Sequence, residues 1–473
     1  MNPDYYSGDL DALVAYIDKN ISAVRTETND RDTNIDALIR IVEITKKYII
    51  SIKDGTANSA VFLQNFLQLA CISRPIYEHE SRINMFDDPV ISNGAIPPTP
   101  ALIKIDSLDN LSVSTIPVPS PALPHVTVRK ADGKRLTLGK QIGQGGEGSV
   151  YKIPELPGKV AKIFNTHKLK PDNYQHTEKK IRYLITKKDA ACIGDTIIAS
   201  LPEDLLYTQD GSLAGYIMPQ FTTTTKLFEV HREGRRRKLF PDLDYRGLIV
   251  VAYNLAEAVD HLHSHEIVIG DMNPNNILVH ADGTVGLLDS DSFSVTDPNT
   301  GEHFPCCVGL SELLAPELQM VVSLRNAQFT KESDNFSLAI HIFRLLMNNA
   351  DPFGFKLTSY TASKSHLIAN PQYNIANGDC AYVRDIPGKK IPDWSPGLDI
   401  LPKDIQELFC RAFDYTAVTA AASVSKRPTA AEWMDALQRF YQMPLTRCDK
   451  DEFHLYIPSL TECPFCQKLS NTD

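Results

Sequence analysis

Ile142-Gly143-Gln144-Gly145-Gly146-Glu147-Gly148-Ser149-Val150 carries glycines at the spacing G-x-G-x-x-G-x-V. Without a Cβ, such a backbone approaches a triphosphate closely and turns its amides toward the oxygens. The same spacing opens dinucleotide-binding turns, but there a helix follows directly. Here the chain runs on as Ser149-Val150-Tyr151-Lys152-Ile153, turns at Pro157-Gly158 and returns as Val160-Ala161-Lys162-Ile163-Phe164. β-Branched and aromatic residues on both sides of a Pro-Gly turn predict a hairpin, with Lys162 on its second strand. Upstream, Val126, Val128 and Leu136 also read as strand. Downstream, Glu178 is the only glutamate between Lys162 and Glu203, on a helical pattern with Ile181 and Ile185 on the same side.

A glycine loop followed by a strand lysine resembles the nucleotide site of protein kinases. The resemblance spans roughly residues 136–440 and rests on motifs in the kinase order. Ile267-Val268-Ile269-Gly270-Asp271-Met272-Asn273-Pro274-Asn275-Asn276-Ile277-Leu278-Val279 is similar to the catalytic loop H-R-D-x-x-x-x-N. A carboxylate and an amide at that spacing face one phosphate–magnesium cluster only if the loop bends sharply, which Pro274 and the asparagines suit. A strand of Val285, Leu287 and Leu288 leads into Asp289-Ser290-Asp291, at the place of D-F-G. Ala315-Pro316-Glu317, the Asp334 helix and Arg427-Pro428-Thr429 resemble later kinase elements.

The resemblance implies a two-lobed α+β fold, with an antiparallel sheet plus helix in the first lobe and a mainly helical second lobe. It implies ATP with Mg²⁺ (or Mn²⁺). Gly143, Gly145, Gly148, Val150 and Met218 would contact the nucleotide. Lys162 would bind the α/β-phosphates, with Glu178 fixing its ammonium. Asp271 would be the catalytic base, Asn276 and Asp289 the magnesium ligands, and Arg427 would bridge to Glu317. Pro274 after the aspartate favours Ser/Thr over Tyr as acceptor, on a protein substrate.

Four departures stand out. Ile269 and Gly270 replace the histidine and arginine of H-R-D, so the usual anchor for a phosphorylated activation segment is gone. Asn273 replaces the catalytic-loop lysine, Asp291 the D-F-G glycine, and Leu310 the threonine before A-P-E. The G-D-x-N-x-x-N and D-S-D-S-F motifs look like a divergent group of bacterial kinases that carry helical or metal-binding modules. Two rival readings follow: a pseudokinase that scaffolds partners or nucleotide, and a phosphotransferase that uses the fold on a small molecule.

Outside the kinase-like region, residues 126–442, three further segments are expected. Leu10, Leu13, Val14, Ile17 and Ile21 recur at helical steps and predict a helical module over 1–80, where a regulatory partner would bind. Residues 81–125 hold Pro97, Pro98, Pro100, Pro117, Pro119, Pro121 and Pro124 and read as a linker. In the tail, 443–473, Cys448, His454, Cys463 and Cys466 follow C-x5-H-x8-C-x2-C. Thiolates with an imidazole suit tetrahedral structural Zn²⁺, which would supply the folding free energy of a tail with little core. Bare reduced cysteines are the simpler alternative.

Hydrophobic residues make up 43% and charged residues 22% of the 473, an ordinary globular balance that excludes a mainly disordered chain. The net charge of −10 argues against nucleic acid as a partner. The basic run Arg235-Arg236-Arg237-Lys238 reads as a solvated face. No apolar run is long enough for a membrane span, and no signal-peptide pattern opens the chain, so a cytoplasmic location is expected.

Overall fold

A computed structural model describes residues 127–469, apart from 146, 166–170, 320, 322 and 359–370. The expected N-terminal helices and Pro-rich linker lie outside the described residues.

Strands β1 (Thr127–Lys130), β2 (Arg135–Thr137), β3 (Gln141–Gln144), β4 (Gly148–Lys152), β5 (Lys159–Phe164), β6 (Asp204–Tyr207) and β7 (Leu213–Pro219) form one sheet. Its order is β2-β1-β6-β7-β5-β4-β3, antiparallel throughout. Central β5 is covered on both faces, as strand alternation requires. Val160 and Phe164 enter the main core. Ala161 and Ile163 join a smaller core with Val128, Leu136, Ile153 and Ile217. Helix α1 (Pro171–Thr186) buries Ile181 and Leu184 completely.

The second lobe is mainly helical. After the short helix α2 (Glu233–Leu239) comes α3 (Tyr245–Ser264). Asp244 caps α3 by accepting from the Gly247 amide at 3.1 Å. Leu248, Val251, Leu255, Val259 and Leu262 form its buried stripe. The hairpin β8 (Ile277–His280) and β9 (Val285–Leu287) follows, with Ile277 opposite Leu287. Helix α4 (Lys331–Leu346) starts at a capping box of Thr330 and Ser333. Helices α5 (Lys403–Phe413) and α6 (Ala430–Gln442) complete the lobe, with Thr429 and Glu432 boxing the start of α6. Phe409 packs on the fully buried Trp433 with ring centres 4.9 Å apart. The tail pairs β10 (Thr446–Arg447) with β11 (Leu455–Tyr456). This is the expected two-lobed α+β architecture.

Candidate active site

The glycine loop is the β3–β4 turn. Its glycines serve different ends. A Cβ on Gly148 would lie 2.4 Å from the Ile163 carbonyl oxygen, so the β4–β5 pairing itself demands glycine there. A Cβ on Gly143 or on Gly145 would find its nearest non-neighbouring atom only at 3.7 or 3.9 Å, so these two positions are not crowded.

In sheet register Lys162 lies between Val150 on β4 and Tyr216 on β7. Met218, two residues past Tyr216, is buried at the end of β7. The Lys162 side chain is 7% exposed, and its Nζ pairs with Asp289 and with Asp291. Burial alone would push the ammonium down, but Asp291, Tyr216 and Asp289 hold it well above the usual lysine range.

The β8–β9 hairpin explains why residues far apart in the catalytic stretch meet. The Leu288 amide donates to the Asn276 carbonyl at 2.8 Å, so Asn276 and Asp289 emerge side by side at the open end of the hairpin. Asp289 adopts a left-handed backbone, φ 61°, uncommon outside glycine. Ser292 Oγ donates to the Asp289 carbonyl at 2.7 Å and helps to hold that turn. Asp289, Asp291 and Glu147 each bring a carboxylate oxygen within 4.8 Å of the others, Glu147 coming from the glycine loop. Burial, then Asp291, raise the Asp289 carboxyl against the pull of Lys162.

Asp271 sits in the loop before the hairpin. Its Oδ1 is buried and has no hydrogen-bond partner among the described residues. Burial first, and the Asp289 charge second, push its pKa up to about 6, a suitable value for a base working near neutrality. The loop is fixed from below. Asp334 at the start of α4 is fully buried and accepts from the amides of Ile269 at 2.7 Å and Gly270 at 2.8 Å, with His263 Nε2 at 3.0 Å. Gly270 takes φ 75°, and a Cβ there would strike Cys306 Sγ at 2.7 Å. The position of the usual arginine is thus packed against the downstream segment.

Two sequence expectations are corrected. Glu178 does not hold Lys162. Arg182 donates to its carboxylate at 2.7 Å and the Tyr207 hydroxyl at 3.0 Å, an arginine one helical turn away being the nearer cation. The carboxylates on Lys162 come from the Asp289–Asp291 turn. In the motif order Asp291 stands only at the place of the D-F-G glycine. An acid two residues past Asp289, with a tyrosine across the sheet from Lys162, was the available signal.

The bridge between Arg427 and Glu317 is present as two parallel contacts of 2.7 Å, with the Arg427 side chain fully buried. The basic run is a solvated face only in part, Arg235 and Lys238 being exposed. Arg236 is buried and donates to the Val230 carbonyl at 2.9 Å, Arg237 pairs with Asp451 at 2.7 Å, and Arg235 pairs with Glu229 at 2.9 Å.

Cys448, His454, Cys463 and Cys466 converge. Their ligand atoms lie within 4.8 Å of one another. Cys448 and Cys466 sulfurs are 3.7 Å apart, and His454 Nδ1 stands 3.6 Å from Cys463 and 3.5 Å from Cys466. A tetrahedral zinc with ordinary bond lengths spaces its ligands by about 3.5–3.8 Å. The Lys450 amide faces the Cys448 sulfur at 3.4 Å. The other ring nitrogen of His454 faces Glu233 of α2 at 3.5 Å, which with Arg237 holds the Glu233 carboxyl down at about 2. Phe465 packs on Tyr245, and the Tyr245 amide donates to the Phe453 carbonyl at 3.1 Å, so the tail is joined to the start of α3.

The protein kinase domain model matches residues 136–375. The chain is 32% identical over 348 residues to Protein kinase YegI of Escherichia coli, covering 72% of this chain and 50% of that protein. It is 32% identical over 133 residues to Serine/threonine-protein kinase sck1 of Schizosaccharomyces pombe, covering 28% and 17%. With Serine/threonine-protein kinase SCH9 of Saccharomyces cerevisiae it shares 26% over 212 residues, covering 43% and 23%. The chain belongs to the protein kinase family. It spans about half the length of the bacterial relative and less of the yeast ones. Among the described residues no helix is long and apolar enough to cross a membrane.

Proposed function

We propose that the chain is an ATP-dependent protein kinase acting on Ser or Thr hydroxyls of a protein substrate. The observation that carries this reading is the buried Oδ1 of Asp271, without a partner among the described residues, in the loop that leads into the hairpin bringing Asn276 and Asp289 together. In this reading Lys162 and the loop amides hold the phosphates. Asp271 orients the acceptor hydroxyl and takes its proton as the new O–P bond forms and the bond from γ-phosphorus to the β,γ-bridging oxygen breaks, leaving ADP. Mg²⁺ or Mn²⁺ held by Asn276 and Asp289 would neutralise phosphate charge. Asn273 supplies no cation where kinases place a lysine, which lowers the rate by roughly 10²–10³. Slow turnover, or a different compensating cation, follows from this reading. Pro274 supports Ser/Thr, as does the likeness to two yeast serine/threonine-protein kinases.

The tail is proposed to bind one structural Zn²⁺ through Cys448, His454, Cys463 and Cys466. Four protein ligands leave no open position for catalysis.

Intact mass after incubation with Mg-ATP tests the transfer. Steps of about 80 Da are expected in the unsubstituted chain and none in Asp271→Ala. Equal steps in both would remove the base assignment.

A further inference from the structure

The nucleotide lysine needs a carboxylate to aim its ammonium, and in protein kinases a glutamate on the first-lobe helix does this. Here that helix residue is committed elsewhere, to Arg182 and Tyr207. Asp291 stands in the gap. Its side chain is 2% exposed, against 20% for Glu178, and it pairs with Lys162 Nζ at 2.5 Å. The Tyr216 hydroxyl donates to the same Asp291 oxygen at 2.8 Å. Tyr216 is the cross-strand neighbour of Lys162, so sheet register delivers the phenol and the amine to one carboxylate. The turn bearing Asp291 is pinned beside it. Ser290 Oγ donates to the Ser200 carbonyl at 2.7 Å, tying the turn to the segment before β6.

We propose that Asp291, held by Tyr216, is the positioning residue for Lys162 in nucleotide binding, in place of Glu178. A carboxylate in a low-dielectric setting holds an ammonium more firmly than an exposed one. It also sits in the same turn as the metal-binding Asp289, so lysine and metal ligand are set by a single loop. Assembly of the phosphate site then does not depend on where α1 lies. This inference rests on the kinase reading, so its test reads nucleotide affinity rather than transfer.

The experiment measures ATP affinity of the full chain by calorimetry over a series of Mg²⁺ concentrations. The variants are Asp291→Asn, Glu178→Gln, Tyr216→Phe, Lys162→Met and the Asp291→Asn/Lys162→Met double. Loss of one charge-assisted contact predicts about tenfold weaker binding for Asp291→Asn, and loss of a neutral one about threefold for Tyr216→Phe. Glu178→Gln changes affinity by less than about twofold. The double variant binds like Lys162→Met alone, because the two residues act as one unit. Additive losses in the double would overturn the proposal, as would a Glu178→Gln loss equal to that of Asp291→Asn. A loss in Asp291→Asn that extra Mg²⁺ restores would make Asp291 a metal ligand with Glu147 and Asp289, and would also overturn it. Should Asp291→Asn fail to fold, Tyr216→Phe decides: unchanged affinity overturns the inference. If the unsubstituted chain binds no ATP, the kinase reading falls and takes this inference with it. Binding that is indifferent to Asp291 and Tyr216 removes this inference alone.

Discussion

The cleft and the tail each gather charged, thiol or imidazole side chains from separated positions, but they do so differently. In the tail, Cys448 to Cys466 lie within a short stretch, and a small hairpin brings them together. Spacing along the chain already specifies that set. In the cleft, Lys162 reaches Asp289 and Asp291 across more than a hundred residues, and the choice among Asp289, Asp291 and Glu178 depends on how sheet, helix and hairpin dock. Ligand identity is thus a local property in one region and a tertiary property in the other.

The sharpest way to separate the two regions is to damage each and read both activity and stability. Asp271→Asn should lower phosphoryl transfer by about 10³ or more with little change in melting temperature, because it removes the proton acceptor and leaves an amide of the same shape. A labelled-ATP assay beside a thermal melt checks this, and a large drop in melting temperature would make Asp271 a structural residue. Cys463→Ser with Cys466→Ser should do the reverse. Elemental analysis should fall from about one zinc per chain to none, and stability should fall by about 3 kcal/mol as the tail comes away from Tyr245. Unchanged metal content and melting would end the zinc proposal.

Smaller effects sharpen the comparison. Arg427→Ala should cost about 2 kcal/mol in a denaturant titration. This is below the usual value for breaking a fully buried pair, because Glu317 keeps about a third of its side chain exposed. Next comes the acid limb of the rate profile. Asp271 must be ionised to accept a proton, and its carboxyl is raised to about 6, so kcat/KM should climb with pH through about 6 and fall below it. A bound cation beside Asp289 would draw the limb lower, so raising Mg²⁺ should shift it toward acid. A flat profile from pH 5 to 7 at low Mg²⁺, as order-of-magnitude bounds around about 6, would count against the base. The smallest effect belongs to Glu178→Gln, less than about twofold in turnover. A tenfold loss there would restore the helix glutamate to the site.

Much of the fold was legible in advance. The hairpin with Lys162, the aspartate opening α4 and the Arg427–Glu317 bridge all follow from local pattern or from motif order. The errors share one cause. Glu178 was matched to Lys162 because motif order says which residues belong to a site but not which of several carboxylates an ammonium meets. Arg236 was taken for a surface charge because periodicity does not reveal that a short helix turns one arginine inward to the Val230 carbonyl.

The sequence alone determined which chemical groups this protein owns: a glycine loop, a strand lysine, the Asp271–Asn276–Asp289 series and a C-terminal set of soft ligands. Glycine, proline and alternating apolar residues act over a few bonds, so their consequences can be read along the chain. Only the tertiary structure decided the pairings. It set Lys162 against Asp291 and Tyr216, gave Glu178 to Arg182, and faced His454 toward Glu233. Electrostatic partners are chosen by distance and burial, and those are fixed by packing between elements far apart in sequence.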